Sequence, residues 1–357
     1  MMIPLFKPYM PEDVMDTAKE ILYSGQLVYG KWGRLFEEKL KKYIGTDSLI
    51  AVNSYSSAVN VAFSVLGLDY GDEVIMSPMC CLQSTQPIAA KGIKIIWADI
   101  DPHTGTLDPR SVKSKISTKT KAIFHNQHLG YVGYIDEINQ IAQSHGLYCI
   151  DDCVDGMGGI YKDKKVGNCG SDATVISFQV VRLPNGIEGG AITFKDPHHT
   201  DKAKIVRDLG LNRSLFRDER SEISEKYDVS NLGYAATPNE LNSFILHQQM
   251  SQLDNLLHKQ RKNAEIWDER IKDLYLSGHP LVKVSQTIPT YWVYGMLTKR
   301  RSEMIDYFRS IGYYVSGVHL NNNRYSLFGQ QEELKGVNEF YSKFVALPSG
   351  WWVNLEK

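Results

Sequence analysis

Three short stretches concentrate groups able to hold an anion, stabilise a charge or move a proton. Asn53-Ser54-Tyr55-Ser56-Ser57-Ala58 follows an apolar run and opens a helical pattern. Hydroxyls and free backbone N–H groups at the positive end of a helix can hold a phosphate, and the same serines serve equally as an ordinary helix cap. Ile150-Asp151-Asp152-Cys153 ends another apolar run with two carboxylates, and Asp155-Gly156-Met157-Gly158-Gly159 follows. A carboxylate in that place can keep a pyridine nitrogen protonated, bind a cation or cap a loop. The third stretch, Ser177-Phe178-Gln179-Val180-Val181-Arg182-Leu183-Pro184-Asn185-Gly186-Ile187-Glu188-Gly189-Gly190, leaves one strand pattern and enters the next. Its glycines suit a backbone that passes close to another group.

The elements that must position these stretches alternate. Short β-branched runs at Leu49 to Asn53, Val74 to Ser77, Lys94 to Ala98, Lys121 to His125, Tyr148 to Asp152, Ala173 to Phe178 and Gly190 to Phe194 read as strands. Ser57 to Leu66, Leu82 to Ala90, Asp108 to Ile116 and Asp136 to His145 read as helices between them. That alternation predicts an α/β fold with a mainly parallel seven-stranded sheet, whose ligand lies where strand ends meet the next helices. After Pro238 a polar helical pattern spans 239 to 277 and leads to a smaller α/β unit, with strands at Tyr291 to Leu297 and Tyr313 to Val318 and a helix at Ser302 to Ile311. The expected division is residues 1–240 as the large domain with an N-terminal arm, and 241–357 as the connecting helix and small domain. Residues 212 to 232 read as a loop.

Composition narrows the function classes. Forty basic against forty-one acidic side chains leave a formal charge of -1, a balance that does not point to nucleic acid, a membrane surface or a polyanionic partner. No stretch approaches a membrane span, and no basic-then-apolar leader opens the chain, so a soluble, cytoplasmic protein is expected. The five cysteines include no CxxC pair and no metal-like histidine spacing, so no metal is expected.

The three stretches, in this order, resemble the DegT/DnrJ/EryC1/StrS family of pyridoxal-phosphate (PLP) sugar aminotransferases. The likeness extends through Gly71-Asp72-Glu73-Val74-Ile75, Asp99-Ile100-Asp101-Pro102, the hairpin Tyr161 to Gly167, Leu232-Gly233-Tyr234 and Ala346-Leu347-Pro348. The resemblance implies the PLP-transferase type I fold and a homodimer with shared active sites. It also implies PLP or pyridoxamine phosphate as cofactor and a nucleotide-linked keto-sugar as substrate. Ser56, Ser57 and Ser177 match phosphate-side positions, and Asp152 matches the carboxylate facing the pyridine nitrogen. Tyr29 in the early loop, with His319 and Tyr325 in the small domain, match the substrate side.

Position 182 matches the imine-forming lysine, and there the chain carries Arg182. A guanidinium stays protonated and offers no free amine to an aldehyde. Asp155 stands where the family places Gln or His near the ring, Ala235 where a subunit-crossing Asn is expected, and Thr237 where a basic residue is usual. Several changes around one site point to natural divergence rather than a single introduced substitution. A buried arginine requires a carboxylate, and Asp152, Asp155 and Glu188 are the expected partners. Three functions follow: altered chemistry on a sugar nucleotide, a non-catalytic member that binds one or pairs with an active paralogue, or an aminotransferase carrying a Lys-to-Arg substitution.

Overall fold

The computed structural model describes residues 2–274, 277–329 and 333–356. The apolar runs become Leu49–Val52 (β1), Glu73–Met76 (β2), Lys94–Trp97 (β3), Thr120–Asn126 (β4) and Tyr148–Cys153 (β5). A hairpin of Ile160–Tyr161 (β6) and Lys164–Lys165 (β7) precedes Ala173–Ser177 (β8) and Gly190–Phe194 (β9). The seven long strands form one sheet in the order β1-β9-β8-β5-β4-β2-β3. Strand β9 runs antiparallel to both its neighbours, and the remaining pairs are parallel. Strands β1, β2, β8 and β9 are buried along their whole length, as expected of a sheet covered on both faces by crossover helices. The edge strand β3 is the most open, and β4 and β5 expose one residue each near their starts, Lys121 and Tyr148.

The helix Tyr55–Val65 fills the crossover after β1 and buries Tyr55, Ala58, Val59 and Ala62 along one face. Ser54 caps it, its hydroxyl oxygen accepting from the Ser57 backbone N–H at 3.1 Å. The helix Leu82–Ala90 lies in the crossover between β2 and β3 and packs against Tyr55–Val65. Both helix starts therefore sit at the carboxyl ends of parallel strands, beside the exit of β5.

The second half departs from the expected pattern in three places. Residues 239 to 277 form two helices, Glu240–Gln249 and Leu253–Arg270, because a tight turn through Ser251 and Gln252 interrupts the ladder. Leu246, Met250, Leu253 and Leu257 can then share one buried cluster. Residues 275 and 276 of that expected span lie outside the described residues. Tyr291 takes a left-handed φ of 54°, so the strand after it is limited to Tyr294–Leu297. Tyr313 to Val318 is not a strand: Tyr313 and Ser316 make single bridges to Ile3 and Ala346, and Val318 turns away at φ 61°. His279–Pro280 (β10), Tyr294–Leu297 (β12) and Phe344–Leu347 (β13) form an antiparallel sheet, while Thr287–Ile288 (β11) joins the hairpin β6–β7. Residues 212 to 232 hold one short helix, Arg213–Phe216, amid turns and bridges. No helix among the described residues is long and apolar enough to cross a membrane.

Candidate functional site

Alternation along β5 sends its two carboxylates to opposite faces of the sheet. Asp151 meets the His125 Nδ1 at 3.0 Å and the Ser171 hydroxyl at 2.8 Å, on the side away from the helix Tyr55–Val65. Asp152 is fully buried on the other side. The Tyr55 O–H donates to its Oδ1 at 2.6 Å, the Ser84 O–H donates to its Oδ2 at 2.7 Å, and the Val154 N–H reaches Oδ1 at 3.1 Å. Burial pushes the Asp152 carboxyl up to about 6, against the downward pull of the Tyr55 and Ser84 bonds. Burial and then the neighbouring Asp152 push the Tyr55 phenol well above its ordinary value, so it remains a donor.

Arg182 follows β8 in a turn closed by its N–H on the Gln179 carbonyl at 2.8 Å. Its guanidinium is ion-paired with Asp155, the two side chains being 5% and 4% exposed. Its other neighbour is the face of Trp292, whose ring centroid lies 4.3 Å from the guanidinium carbon. The Trp292 indole N–H donates to the Val181 carbonyl at 2.8 Å, which fixes the ring. Asp155 accepts from the Leu129 N–H at 3.2 Å through its second oxygen. Gly130, at φ 86°, admits the incoming segment: a Cβ there would collide with Thr290 Oγ1 and lie 2.8 Å from the Trp292 nitrogen. The Arg182 Nε is buried without a hydrogen-bond partner. Asp152 and Glu188 bond elsewhere, Glu188 accepting from the Gln179 amide at 3.0 Å.

The cavity left between Ser177, Asp155, Arg182 and Trp292 has a volume of about 10 Å³. That is the room of about one water molecule.

The chain matches the DegT/DnrJ/EryC1/StrS aminotransferase family over residues 8–357. It belongs to that family. The spore coat polysaccharide biosynthesis protein SpsC of Bacillus subtilis is 29% identical over 264 residues, covering 74% of this chain and 67% of the relative. A pleiotropic regulatory protein of Geobacillus stearothermophilus is 26% identical, covering 97% of this chain and 92% of the relative. Among solved structures, AtS13 from Actinomadura melliaura superposes with a TM-score of 0.93 at 26% identity, covering 99% of this chain and 95% of that one. The sugar aminotransferase CalS13 from Micromonospora echinospora gives 0.92 at 25%, covering 99% and 96%.

Measured against a family cofactor of pyridoxal phosphate, the residues present do not fit. No lysine lines the cavity, and its volume of about 10 Å³ is far below the roughly 300 Å³ at which ligand pockets begin. Both oxygens of Asp152 already accept from hydroxyls of the chain. At the phosphate stretch, Ser57 donates its hydroxyl to Asn53 Oδ1 at 2.7 Å and Ser54 donates to Ser57 at 2.9 Å, so the cap consumes two of the three serines. Ser56 alone keeps an uncommitted, half-buried hydroxyl. Lys162 and Lys164 of the hairpin are exposed, and Lys165 is half-buried beside Asp254 and the Tyr43 ring.

The remaining expected residues divide. His319 lies within electrostatic reach of Asp155 and Arg182, its imidazole held low by burial and then by Arg182, with Asp155 opposing. Its Nε2 is buried without a partner. Cys81, which precedes the helix Leu82–Ala90, also senses Arg182 and Asp155, with burial pushing its thiol up. Tyr29 belongs to another cavity of about 900 Å³, where it donates to Glu37 at 2.6 Å and lies under the Arg207 guanidinium. Tyr325 is half-buried in a turn held by its N–H on the Asn322 carbonyl at 3.1 Å, and it contacts none of the groups around Arg182 described here. Tyr55, Ser84 and Trp292 were outside the sequence expectation. The inward stripe of 55, 58, 59 and 62 marks Tyr55 as buried, but no local pattern pairs it with a carboxylate 97 positions away. No cluster of metal-ligating side chains occurs among the described residues.

Proposed function

We propose that this chain serves deoxyamino-sugar or surface-polysaccharide biosynthesis as a sugar-nucleotide-binding family member that does not carry out PLP transamination. The carrying observation is Arg182 locked on Asp155 and Trp292 beside a cavity the size of one water. Family membership and the likeness to SpsC support the sugar context. The partner is a nucleotide-linked keto-sugar, and the working unit is a homodimer. Exposed Val28 (67%) and Leu232 (95%), on the early loop and the 212–232 segment, support the dimer. The early loop lines the 900 Å³ cleft around Tyr29 and Arg207.

Calorimetric titration with a nucleotide-linked keto-sugar, followed by mass spectrometry of the mixture with PLP and glutamate, tests this reading. Saturable binding without amine product is the expected result. Amine formation, or no binding at all, overturns it.

Altered chemistry on the bound sugar is the second reading, and the unpartnered Nε2 of a neutral His319 favours it. A mass change in the sugar that His319→Gln abolishes would select it.

A further inference from the structure

We infer that Tyr55 closes this chain to pyridoxal phosphate independently of Arg182, so that a lysine at position 182 does not by itself reopen the site. The inference deepens the reading above and rests on it.

A carboxyl buried at a strand end must receive donors, because an orphaned oxygen forfeits its hydration without return. In this chain the donors come from two helix starts and the exit of β5: the Tyr55 O–H, the Ser84 O–H and the Val154 N–H. Asp152 is accordingly absent from the buried polar groups that lack a partner among the described residues. Oδ2 accepts from Ser84 alone and keeps acceptor capacity, so what bars an external ring nitrogen is access: Asp152 is fully buried, with Tyr55 and Ser84 standing over its two oxygens. The two are not equivalent obstacles. Ser84 is small, whereas Tyr55 is among the largest fully buried side chains, and its phenol oxygen lies 3.0 Å from Ser84 Oγ, directly in front of the carboxyl. Tyr55 is also the first residue of its helix, next to the Ser54 cap, so its Cβ direction is fixed by the helix start. Moving the ring aside requires opening that first turn.

Arg182 is a separate obstacle. It is held by Asp155 and Trp292 and makes no contact with Tyr55 among those described. Exchanging Arg for Lys shortens that side chain and leaves the phenol on Asp152.

The experiment compares full-length wild type, Arg182→Lys, Arg182→Lys with Tyr55→Phe, and Arg182→Lys with Tyr55→Gly. Each is incubated with PLP and dialysed, then read by its visible imine absorbance and by thermal unfolding with and without PLP. The expected result is no retained band and no thermal shift for the first three, and a near-stoichiometric band with a raised midpoint for the glycine double variant. Tyr55→Phe keeps the ring and loses only the donor, so it separates bulk from hydrogen bonding. A near-stoichiometric band in Arg182→Lys alone overturns the inference, as does a cooperatively folded glycine double variant that retains no PLP. Should the glycine double variant not fold, Arg182→Lys with Tyr55→Ser takes its place under the same criteria; a band that appears with Tyr55→Phe but not in Arg182→Lys alone also supports Tyr55 as the obstacle, through its hydroxyl rather than its ring. A retained band in the wild type instead removes the functional reading on which the inference rests.

Discussion

Replacing Arg182 by methionine leaves Asp155 as a buried carboxylate whose remaining donor is the Leu129 N–H. The pair is 5% and 4% exposed, so solvent screening gives no reason to discount its strength as for a surface pair. Removing one partner of such a pair costs about 3 kcal/mol or more, because the other charge stays desolvated. Asp155→Asn strands the guanidinium instead, and the Trp292 contact, already made in the wild type, does not replace the lost charge. Each single variant is therefore expected to lose about 3 kcal/mol. The double variant is expected to lose about as much as one single, a coupling of about 3 kcal/mol. Urea unfolding followed by far-ultraviolet circular dichroism measures all four proteins, with an unchanged slope showing that the same transition is compared. Single losses below about 1 kcal/mol, or losses that add, would refute the buried lock.

Asp152 titrates in a direction opposite to that of most acids in folded proteins. Its folded carboxyl keeps a proton up to about pH 6 while the unfolded one releases it near 3.8, so stability falls as pH rises through that window, by roughly 3 kcal/mol in all. His128, pushed down to about 3 by burial, gives the opposite slope, because the unfolded imidazole takes up its proton first as pH falls below about 6.5. The stability difference between wild type and Asp152→Asn isolates the first effect, and a flat difference between pH 4 and 6 contradicts it. Gly130→Ala forces a Cβ against Thr290 at φ 86°, with an expected loss of about 2 kcal/mol in urea unfolding and altered Trp292 fluorescence; wild-type stability would show that the segment gives way. Leu232→Asp, at a side chain 95% exposed, is expected to shift sedimentation toward the monomer while leaving the unfolding midpoint of the monomer unchanged.

Much of the large sheet could be read from the chain because its buried strands announce themselves as continuous apolar runs; Gly190 to Phe194 and Leu82 to Ala90 match the expected limits at both ends. The C-terminal part was less legible. Tyr313 to Val318 has β-branched and aromatic content, yet its pairing depends on a left-handed Val318 and on neighbours more than 300 residues away at Ile3, which no local pattern encodes. The same holds at the site. The family resemblance singled out Arg182 and Asp155 by position, and charge balance named Asp155 among three partners. That Asp155 rather than Glu188 holds the guanidinium follows from where β5 and β8 end side by side. Tyr29 was grouped with the sugar-side residues through likeness, while within one chain the fold places it at a different cavity.

The hydroxyls on Asp152 also bear on how such a protein is maintained in a cell. A fold completed by a small molecule gains stability only in proportion to the logarithm of that molecule's free concentration over its dissociation constant, about 2.7 kcal/mol at a hundredfold excess. That gain fluctuates with nutrition and with competing apoenzymes. Here the donors at the buried carboxyl are encoded and arrive with the polypeptide. If Tyr55 bars the cofactor as inferred above, maturation at this carboxyl needs no loading step, and its contribution to the protein's lifetime is independent of vitamin B6 supply.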